Sequence, residues 1–140
     1  MNNESTYRLA VPASTEKLAD VRKFVFDHAE NEGFSTEQIE DIRLAVDEAF
    51  TNIIKHAYKF DSDQEVLVNL KFDDEKLVVK LTDFGSSFDI TKYKRPNLKE
   101  RIKQKKRGGM GVHLIKSLMD DVTYSREDKK NEIRMSKKRG

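Results

Sequence analysis

A long amphipathic helix restricts the fold of this chain more than any other feature. Residues 35–38 read Ser-Thr-Glu-Gln, a capping-box pattern that marks the start of a helix. The apolar residues that follow recur at helical spacing: Ile39, Ile42, Val46, Ala49, Phe50, Ile53 and Ala57. Because this apolar face must be covered, the rest of the chain has to supply a second layer.

The second layer is predicted to be a sheet. Apolar periodicity and turn residues place strands and helices, in chain order, at 6–11, 15–31, 35–57, 66–72, 77–81, 112–119, 122–124 and 133–135. This β-α-α-β-β-loop-α-β-β order predicts an α+β two-layer sandwich, with three helices on one face of a mixed, mostly antiparallel sheet. The 140 residues are expected to form a single domain, 1–140, with a core at about 5–136 and a frayed basic tail.

Composition excludes several classes of function. The chain has no cysteine, which excludes a disulfide framework, thiol catalysis and thiolate zinc sites. No apolar run approaches the ~18 residues that a membrane span needs. The N-terminal residues lack the basic start and apolar stretch of a signal peptide. A cytoplasmic protein without membrane contact is therefore expected.

Charge is unevenly distributed, although the formal net charge is only +2. Residues 16–48 carry ten acidic and four basic side chains, whereas residues 92–107 carry nine basic and one acidic. Such a basic run can grip polyphosphate, nucleic acid or an acidic partner, or it can be a solvated loop. Tyr93 is its only aromatic residue, so a stacking platform for single-stranded nucleic acid is poorly supported.

Three polar residues share a face of the long helix. Glu48, Asn52 and Lys55 are four and three positions apart, which places them together beside the apolar stripe. A carboxylate there can act as a general base, and an amide oxygen can bind Mg²⁺ whose other ligands are nucleotide phosphates. The alternative is the solvated side of an ordinary amphipathic helix.

Two glycine-containing segments are also candidates for ligand binding. Asp83 ends the predicted hairpin and Gly85 follows it, so the carboxylate can accept a bond from an exocyclic amino group where the backbone comes close. Residues 107–111 read Arg-Gly-Gly-Met-Gly before a helix, where backbone N–H groups and the arginine can bind phosphate. This spacing is neither a Walker A loop nor a Rossmann fingerprint. Taken alone, each segment can equally be an ordinary turn.

Taken in order, these segments resemble the boxes of the gyrase/histidine-kinase ATPase superfamily, the Bergerat fold. Residues 48–58 (Glu-Ala-Phe-Thr-Asn-Ile-Ile-Lys-His-Ala-Tyr) resemble its N box, 83–89 (Asp-Phe-Gly-Ser-Ser-Phe-Asp) its first glycine box and 109–114 (Gly-Met-Gly-Val-His-Leu) its second. The single-domain length, the Phe-Asp pair at 88–89 and Leu-Met-Asp-Asp-Val at 118–122 are similar to small RsbW-like anti-sigma-factor serine/threonine kinases. Ser87 stands where many superfamily members have a second glycine, as RsbW-like kinases often do.

The resemblance implies a role for each matched position. Glu48 would be the general base, Asn52 would bind Mg²⁺, Asp83 would bind the adenine amino group, and Lys55 would lie near the phosphates. The other ATP-binding positions that it implies are Gly85, Phe88, Arg107, Gly108, Gly109, Met110, Gly111, Val112 and His113. Residues 86–107 would form the ATP lid.

The function implied by the resemblance is an ATP-dependent kinase in a partner switch. It would phosphorylate a serine or threonine of a STAS-domain anti-anti-sigma protein and otherwise hold a sigma factor inactive. Such kinases are often homodimers, and a serine phosphatase reverses the phosphorylation. One alternative is a non-catalytic ATP-binding module that regulates a phosphatase or another protein. A nucleic-acid-binding protein is a weaker alternative, so direct contact with nucleic acid is not expected.

Overall fold

The computed structural model describes residues 4–86 and 111–140, with the backbone alone at 111–114. The described elements are β1 (Ser5–Pro12), a 3-10 turn (Thr15–Lys17), α1 (Leu18–Asn31), α2 (Thr36–Asn52), a π-helical turn (Ile53–Ala57), β2 (Glu65–Phe72), β3 (Lys76–Asp83), α3 (Gly111–Leu118), β4 (Asp121–Glu127) and β5 (Lys130–Lys138). The predicted element order is thus confirmed. The predicted capping box is present, because Ser35 accepts from the Gln38 N–H and the Gln38 side chain accepts from the Ser35 N–H.

The five strands form one sheet in the order β1-β2-β3-β5-β4. All four pairings are antiparallel, so the α+β fold class is confirmed and the described sheet is antiparallel throughout rather than mixed. One row of paired residues crosses every strand and faces the helices: Leu9, Val68, Leu81, Ile133 and Tyr124. Alternate residues of β2 and β3 are buried, which places the core on this single face.

Helix α2 lies at the centre of the helical layer, with α1 and α3 packed against it. Its buried face contains the apolar residues expected from the sequence, among them Ile42, Val46 and Phe50. The predicted continuous helix to residue 57 is wrong at its C-terminal end, where the α-helix gives way to a π-helical turn after Asn52. That turn widens the helix beside the ends of β3 and β5.

The expectation of a frayed basic tail is also wrong. Strand β5 pairs with β3 as far as Lys138, beyond the predicted end of the core at residue 136. Arg139 then donates to the backbone oxygens of Asp73 and Glu32, and its guanidinium lies 5.1 Å from the centre of the Phe34 ring. Arg139 is thus a hydrogen-bond donor to two turns of the fold rather than part of a solvated end. The expected lid, apart from Ser86, lies outside the described residues.

Candidate functional site

A small cavity lies between the C-terminal end of α2 and the end of the sheet where β3 finishes and β5 begins. Its lining residues are Ala49, Asn52, Ile53, Ala57, Asp83, Ser86, Tyr124, Asn131 and Ile133. Apolar walls with a few polar groups are typical of small-molecule sites. Asn52 and Asp83, which are 31 positions apart in the sequence, are thereby brought to one cavity.

Asp83 is held at the end of β3 with only 4% of its surface exposed. Its Oδ1 accepts hydrogen bonds from the Gly85 N–H at 3.0 Å and from the Asn131 amide at 2.8 Å. Burial raises the pKa of this carboxyl, while these two bonds and the nearby Arg126 charge lower it. Because both bonds go to Oδ1, Oδ2 is the oxygen that can accept a bond from a ligand.

Gly85 is required at its position by a close backbone approach. A Cβ atom there would lie 2.3 Å from the Ala57 oxygen and 2.9 Å from Cδ1 of Tyr58. The next residue, Ser86, donates its N–H to the same Ala57 oxygen at 2.8 Å. The loop after β3 therefore docks directly on the π-helical turn, and only glycine permits that contact.

The π-helical turn is closed by backbone and side-chain bonds. The N–H groups of Tyr58 and Phe60 donate to the oxygens of Ile53 and Ile54, at 3.0 and 2.8 Å. The Tyr58 hydroxyl donates to the Glu65 oxygen at 2.6 Å and accepts from the Phe84 N–H at 2.8 Å. Tyr58 thus ties the turn both to the start of β2 and to the loop that follows Asp83. Turns of this type are frequent at functional sites.

Glu48 and Asn52 are one helical turn apart on α2, and both are partly buried. Burial raises the pKa of Glu48, the Lys55 charge lowers it and the Asp47 charge raises it. Asn52 lines the cavity, whereas Glu48 lies one turn before it and does not. Lys55 is exposed on the π-helical turn, close enough to act on the Glu48 carboxyl through its charge.

The second glycine-rich segment is described only in part. Its residues Arg107, Gly108, Gly109 and Met110 lie outside the described residues, as does Phe88 of the first glycine box. The backbone of Gly111, Val112 and His113 forms the first turn of α3, which packs against α2. Their predicted contacts with phosphate, like the other predicted site roles, stay predictions.

Three residues that surround Asp83 were missed from the sequence. They are Asn131, Tyr58 and Arg126. Asn131 donates to the carboxylate, the Tyr58 hydroxyl accepts from the Phe84 N–H, and Arg126 donates to the Gly85 oxygen at 3.0 Å. Arg126 and Asn131 lie between the predicted strands at 122–124 and 133–135 and belong to no recognisable motif. Tyr58 is the last residue of the segment that resembles the N box, and this was the one available signal for it.

Comparison with known proteins assigns the chain to a family. The histidine kinase-like ATPase domain matches residues 11–137. The chain is 39% identical to serine-protein kinase RsbW of Listeria monocytogenes over 118 residues, which cover 81% of this chain and 75% of that relative. It is 34% identical to serine-protein kinase RsbW of Bacillus subtilis over 126 residues, 86% of this chain and 78% of the relative. The chain belongs to the RsbW family of serine-protein kinases. The family predicted from the three boxes is confirmed.

Solved structures share this fold. One is the crystal structure of the RsbU and RsbW domains of Rv1364c from Mycobacterium tuberculosis, with a TM-score of 0.69 and 15% identity. The match covers 95% of this chain and 32% of that longer chain. Another is the SiaB-SiaC complex from Pseudomonas aeruginosa, with a TM-score of 0.59, 14% identity and coverage of 94% and 89%. At these identities the likeness shows the fold.

The match to an ATPase domain agrees with ATP as the nucleotide of this RsbW family member. Within residues 4–86 and 111–140, no helix is long and apolar enough to cross a membrane. The same described residues contain no cluster of three or more histidine and acidic side chains suited to a metal ion. Asn52, the predicted Mg²⁺ ligand, is among the residues that line the cavity, and its metal-binding role stays a prediction.

Proposed function

We propose that this protein is an ATP-dependent serine/threonine kinase and anti-sigma factor that phosphorylates a STAS-domain anti-anti-sigma protein. The observation that carries the proposal is the meeting of Asn52 and Asp83 at one cavity in a chain of the RsbW family. The two residues supply the two kinds of contact that Mg-ATP needs at its opposite ends: an amide oxygen for the cation and a carboxylate for the base.

The cavity suits the adenine end of the nucleotide. Ala49, Ile53 and Ala57 form an apolar wall from the helical side, against which a flat base can pack. Asp83 presents an oxygen to the exocyclic amino group, and the ionised carboxylate is the stronger acceptor for that bond. Because Gly85 has no side chain, the loop that follows Asp83 can dock on the Ala57 oxygen beside the cavity.

The residues present fit Mg²⁺ bound together with nucleotide phosphates. Mg²⁺ is usually held by few protein oxygens, several waters and the phosphates themselves, so a single amide such as Asn52 is an adequate protein ligand. When bound, the cation neutralises charge on the phosphates. Residues 107–110, together with the N-terminus of α3, are the part of the chain that we assign to the phosphates.

Glu48 is assigned to proton removal from the attacking hydroxyl. The hydroxyl oxygen forms a bond to the γ-phosphorus while the bond from that phosphorus to its bridging oxygen breaks, the proton passes to Glu48, and ADP leaves. The partly buried position of Glu48, one turn from Asn52, supports this assignment, because Asn52 is assigned to the Mg²⁺ that binds the phosphates.

The partners belong to the same proposal. The exposed acidic side chains of the helical layer suit the basic surface of a sigma factor: Glu16, Asp20, Glu30, Glu37 and Glu40. We assign the STAS-domain protein as phosphate acceptor and a serine phosphatase as the enzyme that reverses the reaction. The proposal also includes a single domain at 1–140. This domain would form a homodimer and act in the cytoplasm.

Phosphate transfer from labelled ATP tests this proposal. The protein is incubated with Mg-ATP labelled on the γ-phosphate and a purified STAS-domain anti-anti-sigma protein, with an acceptor in which the serine is replaced by alanine as control. We expect label on the acceptor with the wild type and with Asn31→Ala, an exposed helix position, and none with Asn52→Ala. Mg-ATP binding without transfer would instead favour the non-catalytic module.

A further inference from the structure

Three charged or polar residues form a row across the end of the sheet beside the cavity. In the strand register, Asp83 of β3 is paired with Asn131 of β5, and Asn131 is paired with Arg126 of β4. The row lies on the helix-facing side, two residues beyond the paired Leu81, Ile133 and Tyr124. Asn131 therefore stands between an acid and a base, and only 1% of its surface is exposed.

The amide of Asn131 uses both of its ends. Its Oδ1 accepts from the Tyr124 hydroxyl at 2.7 Å and from Nη1 of Arg126 at 2.6 Å. Its Nδ2 faces three acceptors: Oδ1 of Asp83 at 2.8 Å, the Gly85 oxygen at 3.1 Å and the Ser86 oxygen at 3.2 Å. A reversed amide would put an oxygen against a carboxylate and two carbonyls, so these partners fix its orientation.

The fixed amide restricts the carboxylate in turn. Asn131 and the Gly85 N–H both bond to Oδ1 of Asp83, so the carboxylate cannot rotate without breaking two buried bonds. Burial raises the pKa of Asp83 above its ordinary value, and the Asn131 bond offsets part of that rise by stabilising the ionised carboxylate. The amide also holds the Gly85–Ser86 backbone against the same corner.

We propose that Asn131 is a positioning residue that orients the Asp83 carboxylate toward the exocyclic amino group of adenine and so sets the base preference of the site. This inference rests on the proposed function, in which Asp83 contacts the base. Arg126 supports Asn131 from the far side, through its bonds to the amide oxygen and to the Gly85 oxygen. The ligand that this site would prefer is a purine nucleotide with an amino group on C6.

The test compares two nucleotides that differ only in that amino group. Binding of ATP and of purine riboside triphosphate, which lacks the amino group, is measured by calorimetry with Mg²⁺. The wild type should prefer ATP by about 10- to 100-fold, the range for one hydrogen bond to a charged group. Asn131→Asp keeps the shape and the acceptor oxygen but replaces the donor with a second carboxylate oxygen, which repels the Asp83 carboxylate instead of holding it, so ATP affinity should fall to that of the analogue.

The ratio of the two affinities separates positioning from a general structural role. A loss of packing would weaken both nucleotides equally and leave the ratio unchanged, which would overturn the inference. Asn69→Asp is the matched control, because Asn69 lies on β2 on the opposite face of the sheet, paired with Arg8 and Lys80. Its ratio should equal that of the wild type.

A second variant keeps the inference testable if Asn131→Asp does not fold. Arg126→Ala changes an exposed residue, removes one donor to Asn131 and should reduce the ratio by roughly 2- to 10-fold. An unchanged ratio in Arg126→Ala would overturn the inference. If the wild type transfers phosphate but the variants keep the wild-type ratio of ATP affinity to analogue affinity, only the role of Asn131 is refuted. A shifted ratio without transfer would refute only the kinase.

Discussion

The backbone oxygen of Ala57 accepts a hydrogen bond of 2.8 Å from the N–H of Ser86, which joins the π-helical turn to the loop after β3. The bond brings the segment that carries Asn52 against the segment that carries Asp83. Tyr58 makes a second connection between the same two segments through the Phe84 N–H. The cavity is thus formed by direct bonds between the N-box segment and the first glycine box, and changes at this junction should affect nucleotide binding.

Gly85→Ala should disrupt the junction. The added Cβ would lie 2.3 Å from the Ala57 oxygen, so the loop must move and the Ser86 bond must lengthen or break. We expect a loss of about 1–3 kcal/mol in the free energy of unfolding and a large loss of ATP affinity, measured by urea denaturation and calorimetry.

Gly33→Ala is the matched control for that variant. Gly33 has φ +89°, and a Cβ there would approach no atom more closely than 3.9 Å. The change should cost about 1–2 kcal/mol of stability through backbone strain and leave ATP affinity unchanged. Equal ATP affinity in both glycine variants would contradict the role given to the junction.

Tyr58→Phe should show how much the Tyr58 hydroxyl contributes to stability, apart from the contribution of the ring. The ring stays buried, but the Glu65 oxygen and the Phe84 N–H lose their partner, at a cost of about 1–3 kcal/mol in the free energy of unfolding. Tyr7→Phe, which removes one partly buried bond to Glu32, should cost less. Denaturation curves of the two variants give the comparison, and a larger loss in Tyr7→Phe would contradict it.

The main elements of the fold were predictable because their signals are local. The capping box at Ser35 and the spacing of apolar residues depend on neighbours within one or two turns, and these place α2 correctly up to Asn52. The alternation in β2 and β3 likewise reports burial on one face. Each pattern is a property of a short segment, so no tertiary contact is needed to read it.

The remaining features depend on contacts between distant segments. The π-helical turn is closed by bonds that involve Tyr58, Phe84 and Glu65, and nothing at 53–57 alone favours it over an α-helix. Asn131 reaches Asp83 only because β5 pairs with β3 in one register. Asp83 and Asn52 themselves were found through the order of the boxes, since spacing alone left both open to ordinary structural roles.

The C-terminal anchor was missed for a similar reason, and it leads to a stability prediction. Arg139 bonds to the turn after α1 and to the turn between β2 and β3, whereas the Lys138 side chain is exposed. Arg139→Ala should lower the free energy of unfolding by about 1–3 kcal/mol, and Lys138→Ala should change it by less than about 0.5 kcal/mol. Thermal and urea denaturation measure both, and equal stability of the two variants would show that the tail is not an anchor.

Glu48→Gln should strongly slow transfer while leaving nucleotide binding intact. Loss of a general base lowers the rate by about 10²- to 10⁴-fold, and the neutral amide should still permit ATP binding, as measured by calorimetry.

Burial raises the pKa of Glu48 above its ordinary value of 4.5, so wild-type transfer should decline as the pH falls through that raised value, because only the ionised carboxylate accepts the proton. A raised pKa also means that the ionised form opposes folding at neutral pH, so Glu48→Gln should not lower the melting temperature. Glu40→Gln, an exposed position on the same helix, is the control and should transfer phosphate at the wild-type rate. Full transfer by Glu48→Gln would assign the proton to another group.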